Sequence, residues 1–343
     1  MHSSDNSKTS AVRALIFICV LLAAVAFLNF LLCPLSSMNI KFIRYHAYQK
    51  NIDCLVLGNS LEGDGINAQL ASEILHNNTY VFAPQGSYPE SLYYILLDVA
   101  AKHKLKTIVI GWDIIQNFQT PPYQYPHAEE LWQELIPDAR QNKPLAKILF
   151  SKVMEQRYTS TFFKYSSFPE NILELQEVQN SKKKNPLELD TGTPPAINIS
   201  TLETDTSFHY TDVVERKFDP VIQENDISFI CKIRDFCALR GIQFLVVSNP
   251  IPECIMAAKP ELSQCLAVSA VTMRANRIPY INASDQQLFP GSMTDTNFKD
   301  CYGHIIEPYR SIYTKHMCEL IAGMTPAETN STAVVPQQSF INK

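Results

Sequence analysis

Short strand patterns alternate with helical patterns along most of this chain, with brief connections between them. Candidate strands fall at Asp53–Leu57, Thr79–Phe82, Thr107–Ile110, Gln243–Val247 and Pro279–Ile281. Helical patterns fall at Asn67–Leu75, Pro89–Ala101, about Pro220–Arg240, Glu261–Asn276 and Ile305–Ala322. Parallel strands need a crossover, usually a helix, and strands buried on both faces read as near-continuous apolar runs. The pattern therefore predicts an α/β domain, a three-layer α/β/α sandwich with a mainly parallel sheet. Gly241, directly after the long Pro220–Arg240 pattern, marks a helix stop.

Ahead of this domain, Ala14–Cys33 contains no charged residue and one strongly polar one, Asn29. About 20 apolar residues are what a helix needs to cross a bilayer core. A cleaved signal peptide is the competing reading. The run exceeds the usual core of about 7–15 residues and no A-x-A site follows, so an uncleaved transmembrane anchor over 14–34 is expected. Lys8 and Arg13 precede the span and orient residues 1–13 toward the cytoplasm, while Lys41 and Arg44 beyond it weaken that charge bias. Residues 35–323 would then form an extracytoplasmic domain of a single-pass cell-membrane protein, followed by a flexible tail at 324–343.

Bulk properties exclude several classes. At 46% hydrophobic the chain can bury a sizeable core. A net charge of −5 leaves no electrostatic footprint for nucleic acid. The one basic run, Lys182-Lys183-Lys184, reads as a solvated loop among Asn, Ser and Pro neighbours. No G-x-G-x-x-G or P-loop follows the first strand, and the Gly63 and Gly65 pair lacks a third glycine. Of nine cysteines, Cys19 and Cys33 fall in the span. The rest face a compartment where disulfides persist, and by proximity alone Cys254 with Cys265 and Cys301 with Cys318 are candidate pairs. No C-x-x-C or Cys/His cluster of zinc spacing occurs, so no structural metal is predicted.

From about Gln119 to Thr211 the strand-helix rhythm breaks into a segment rich in Tyr, Pro, Asn and Lys. A weakly periodic excursion of that length is usually functional or partly disordered. It reads as an insertion after the third strand, over or beside the carboxyl end of the sheet.

The chemistry-bearing residues lie at the two ends of the domain. The first strand runs straight into Gly58-Asn59-Ser60, delivering a serine to the carboxyl end of the sheet, where such folds build their sites. Far downstream comes Asp300-Cys301-Tyr302-Gly303-His304, an acid and an imidazole just before the last helical run. A serine hydroxyl is a weak nucleophile until a base takes its proton, and a carboxylate orients that base. Each residue also has a plainer role: Ser60 as a helix cap, Asp300 as a turn residue, His304 as one exposed histidine of eight. Their order as a set raises the catalytic reading. At the end of the third strand Trp112 and Asp113 are candidates to line the site, as is Asn249 after the fourth. Asn249 is equally at home as a plain turn residue before Pro250.

These blocks resemble the SGNH, or GDSL-type, hydrolase superfamily, and most of all its membrane-anchored, exported DltD-like branch. The resemblance implies that Gly58-Asn59-Ser60 is the first block with Ser60 as nucleophile, and that Asp300 and His304 belong to the last. It also implies that Gly86, in Ala83-Pro84-Gln85-Gly86-Ser87, donates its backbone N–H to the oxyanion beside that of Ser60. Two departures stand out. The family spaces its acid three residues before the histidine, where this chain has Cys301, with Asp300 at four. The family's third block supplies an asparagine to the oxyanion hole, where this chain reads Gly111-Trp112-Asp113. Asn59, which would otherwise line the substrate, and Asn117 are the nearest substitutes, and loss of one such donor costs about 10²- to 10³-fold in rate.

Two functions follow as expectations. The first is a membrane-tethered serine esterase or acyltransferase working without metal or organic cofactor on ester-linked acyl groups of a cell-surface glycopolymer. The alternative is a non-catalytic accessory protein on the same scaffold, binding a glycan or docking to a membrane-bound O-acyltransferase.

Overall fold

The computed structural model describes residues 12–21, 23–24, 37–84, 87–120 and 213–324. The chain divides into two compact units, Met1–Ile40 with Glu129–Leu189, and Lys41–Ala128 with Asp190–Lys343. In the first, residues 12–21 and 23–24 are helical with exposed side chains. They cover part of the apolar run expected to cross a membrane, and the remainder lies outside the described residues. No helix of the described residues is long and apolar enough to cross a membrane.

The second unit is an α/β fold built on five strands: β1 (Cys54–Leu57), β2 (Thr79–Phe82), β3 (Thr107–Trp112), β6 (Gln243–Ser248) and β7 (Tyr280–Asn282). They pair in the order β2-β1-β3-β6-β7, and every pairing is parallel. The expected strands are thus all present, with β3 and β6 each running further toward the carboxyl end. Two very short strands, β4 (Gln119–Thr120) and β5 (Lys217–Phe218), form a separate antiparallel ribbon.

Alternation along the strands fixes what each face buries. Val56, Val109 and Leu245 are register partners on one face. They join a buried cluster with Ala71 of α3 (Ala68–Leu75) and with Tyr313, Met317 and Ile321 of α9 (Tyr309–Gly323). Apart from that cluster, α4 (Pro89–Lys102) and α6 (Glu224–Arg240) pack against one another, and α6 also packs on β6. At the β2 edge, α1 (Ser37–Ala47) lays Phe42 and Tyr45 against Phe82 at ring separations of 5.0 and 5.2 Å. The remaining helices are α2 (Ser60–Gly65), α5 (Ile114–Asn117), α7 (Glu253–Ala258) and α8 (Glu261–Ala275).

Two sequence expectations require correction, the start of the last helix and the cysteine pairing. The last helix does not open at Ile305: that residue is bridged to Phe298, and the helix begins after Pro308. No disulfide joins Cys254 to Cys265 or Cys301 to Cys318. Cys265 and Cys318 instead fill the interior as small apolar groups, where burial pushes both thiols up to about 12. The insertion expected at about 119–211 lies outside the described residues except for Gln119 and Thr120, which leave the domain as β4 beside the returning β5.

Candidate active site

At the carboxyl end of β1 the backbone turns through Gly58 and Asn59 directly into α2, whose first residue is Ser60. Asn59 is the helix cap. Its Oδ1 accepts the Leu61 N–H at 2.9 Å, while the Glu62 carboxylate reaches back to accept the Asn59 N–H at 2.8 Å. This reciprocal capping box satisfies two of the amides that a helix start leaves orphaned. It also fixes the direction in which Ser60 leaves the backbone.

From the other end of the sequence, Phe298 and Ile305 pair as an antiparallel bridge and throw out the loop between them as a tight turn. The Lys299 N–H donates to the His304 carbonyl at 3.0 Å, closing that turn. Asp300 Oδ1 accepts the backbone N–H groups of Tyr302 at 3.1 Å and His304 at 3.3 Å, which leaves Oδ2 aimed at the imidazole. His304 Nδ1 stands 2.7 Å from Asp300 Oδ2, and His304 Nε2 stands 2.8 Å from Ser60 Oγ. Ser60, His304 and Asp300 therefore form one continuous hydrogen-bonded chain.

Gly303, just before the histidine, lets the turn close. Its φ of +98° is a conformation that side-chain-bearing residues rarely adopt, and an added Cβ would lie 2.9 Å from the Pro250 carbonyl oxygen. Gly303→Ala is expected to cost about 1–3 kcal/mol of stability. It should also move the turn enough to lengthen the His304–Ser60 contact; thermal unfolding and a structure of the variant check both.

Electrostatics agree with the geometry. Burial opposes ionisation of Asp300, but the hydrogen bond and charge of His304, its backbone N–H and the nearby Lys299 outweigh it, leaving the carboxyl below its ordinary value. Lys299 in turn pairs with Asp64 of α2, tying the helix that carries Ser60 to the turn that carries His304. That pair is half exposed and adds little energy, although it constrains register.

The other expected site residues fare differently. Trp112 does not line the cleft: its ring is fully buried, with Nε1 donating to Ser269 Oγ at 3.0 Å. Strand alternation sends it to the face opposite Gly111. Asp113 caps α5 through Oδ1 and accepts the Asn59 amide on Oδ2 at 2.8 Å. Burial raises the Asp113 carboxyl above its ordinary value, against the pull of Gln116, Asn59 and the His304 charge. Asn59 offers no spare donor to an oxyanion or a substrate in this arrangement, because its amide nitrogen serves both Asp113 and, at 3.0 Å, Gln116 Oε1. Asn117 ends the single turn of α5, buried. Asn249 is buried at the end of β6 with Nδ2 lacking a hydrogen-bond partner. Gly86 lies outside the described residues. Among the described residues, no group of three or more His, Cys, Asp or Glu side chains is disposed to hold a metal ion.

Sequence reasoning missed Glu62 and Arg216. Glu62 was signalled by the Asn59-x-x-Glu62 spacing of a capping box. Arg216, at the root of the returning β5, donates to Tyr302 Oη at 3.0 Å and to Gln119 Oε1 at 2.6 Å. Its guanidinium also stands 5.0 Å from the centre of the Tyr302 ring. No local pattern announces a contact of that kind.

No protein-family model matches the chain, and no curated protein matches it.

Proposed function

We propose that this chain is a serine hydrolase or acyltransferase of the SGNH type, its α/β unit completing a three-layer sandwich. More particularly, we read it as a membrane-tethered, extracytoplasmic esterase or acyltransferase of the DltD-like branch, acting on ester-linked acyl groups of a surface glycopolymer. The observation that carries the reading is the unbroken Ser60–His304–Asp300 relay, with Ser60 and His304 from opposite ends of the domain in contact at 2.8 Å and Asp300 on the far side of the imidazole at 2.7 Å. Helix caps and turn residues do not need such an alignment.

In the proposed reaction His304 Nε2 removes the Ser60 proton as Oγ bonds to the acyl carbonyl carbon. The protonated ring is stabilised through Nδ1–H by Asp300, and then gives its proton to the departing sugar hydroxyl. Water or an acceptor hydroxyl releases the acyl group in a second, mirrored step. The Ser60 N–H, in the first turn of α2 where amides lack intrahelical partners, is one oxyanion donor. The Gly86 amide is assigned as the other.

The accessory reading is favoured by one feature: the Asn59 amide, the nearest substitute for the missing third-block asparagine, is already engaged. The two readings part on a single experiment. The full-length protein in detergent, treated with a fluorophosphonate, is expected to gain one adduct on the peptide containing Ser60. Absence of that adduct, together with no turnover of acetyl or D-alanyl esters, would leave the accessory function standing.

A further inference from the structure

The buried acid of α2 is used by neither the relay nor the oxyanion donors. Glu62 is 3% exposed, an unusual place for half of a capping box, which elsewhere sits at the surface at no desolvation cost. The fold makes room for it deliberately. A Cβ on Gly58 or on Gly111 would stand 1.9 Å from Glu62 side-chain atoms, so both the strand end before Ser60 and the facing residue of β3 are kept bare. Oε2 takes the Asn59 N–H at 2.8 Å, and Asn59 in turn is held on its side chain by Asp113 and Gln116. The residue immediately before Ser60 is thereby fixed through backbone and side chain at once.

From this geometry we infer that Glu62 is a positioning residue: acting through Asn59, it holds the Gly58–Ser60 turn in the conformation that points Ser60 Oγ at His304. The inference rests on the proposed function for its consequence in catalysis, but not for the contact itself. A group that only closed the first turn of a helix would serve equally well from the surface. Glu62 is instead enclosed between two strand ends and the turn, where it restricts the whole Gly58–Ser60 segment. Displacing a reacting atom by about 1 Å can cost about 100-fold in rate, so small freedoms here matter.

The test compares full-length wild type, Glu62→Ala and Glu62→Gln by fluorophosphonate labelling rate and by hydrogen exchange read on peptides from the same samples. Glu62→Ala is expected to label about 100-fold more slowly and to lose exchange protection over Gly58–Gly65 while β6 and α9 keep theirs. Glu62→Gln keeps an acceptor for the Asn59 N–H and is expected to restore local protection and to label within about tenfold of wild type, the cost of a weakened hydrogen bond. Unchanged protection over Gly58–Gly65 in Glu62→Ala overturns the inference, as does protection lost evenly across β6 and α9. If wild type takes no probe, the functional reading alone fails and the exchange comparison still decides the role of Glu62.

Discussion

Ser60→Ala is expected to abolish fluorophosphonate labelling outright while leaving the fold intact. Ser60 is half-buried at the start of α2, and its hydroxyl contributes one side-chain contact, to His304, that the core does not need. His304→Ala should slow labelling and ester turnover by at least about 10³-fold, because the hydroxyl then has no base. Asp300→Asn should cost about 10⁴-fold, since an amide in place of Oδ2 favours the wrong imidazole tautomer. The three losses are not expected to add, because each removes the same relay. Persistent labelling in Ser60→Ala, with the adduct mapped to another residue, would take Ser60 out of the chemistry.

A pH dependence of stability of the opposite sign to ordinary acid denaturation is expected from Glu62. Burial raises its carboxyl from the ordinary 4.5 to about 7, and the nearby Asp113 charge adds to that; the Asn59 N–H and the Asn249 amide act the other way. Asn249 does so without closing a hydrogen bond, since Glu62 Oε1 and Asn249 Nδ2 both lack partners. Tyr313 of α9 faces the same carboxyl, and its hydroxyl is raised by burial and by the Glu62 charge. The native state therefore holds a proton between pH 4.5 and about 7 that the unfolded chain has released. Stability must fall as pH rises through that window and stay low above it. At about 1.4 kcal/mol per unit the full effect is on the order of 3 kcal/mol. Asp113, raised by the same burial, contributes with the same sign, and Asp300, lowered, with the opposite sign at more acid pH. Glu62→Gln removes one titrating group, so denaturant unfolding of that variant should show a clearly smaller decline from pH 5 to pH 8 than wild type, the remainder being the Asp113 contribution. Parallel stability profiles for the two proteins would show that Glu62 does not titrate in this range.

The sheet was legible because its strands are nearly pure apolar runs, such as Cys54–Leu57 and Thr107–Ile110, that only a doubly covered sheet can bury. Ser60, His304 and Asp300 were legible as residue types in order, but not their contact, which depends on the Phe298–Ile305 bridge and on the left-handed backbone of Gly303. Trp112 misled because its position at the end of β3 is visible in the sequence whereas the face it points to follows from strand register, which is not. Asn59 misled for a related reason: an amide beside a nucleophile suggests a donor, yet its hydrogens are consumed by Asp113 and Gln116, both at the start of α5 more than fifty residues on. The start of the last helix was placed too early because Ile305 suits a helical face as well as it suits a bridge, and only tertiary pairing chooses between them.

The ribbon of Gln119–Thr120 and Lys217–Phe218 brings the two ends of a long stretch of chain together. Thr120 and Lys217 are already cross-strand partners, so a two-residue turn could join them directly as an ordinary hairpin. The chain thus leaves and rejoins the scaffold at one point, and Arg216, the residue just before the returning strand, abuts the turn bearing His304 through Tyr302. With both ends anchored side by side, the length of chain between them could change without shifting the register of the five-stranded sheet or the Ser60–His304–Asp300 contacts.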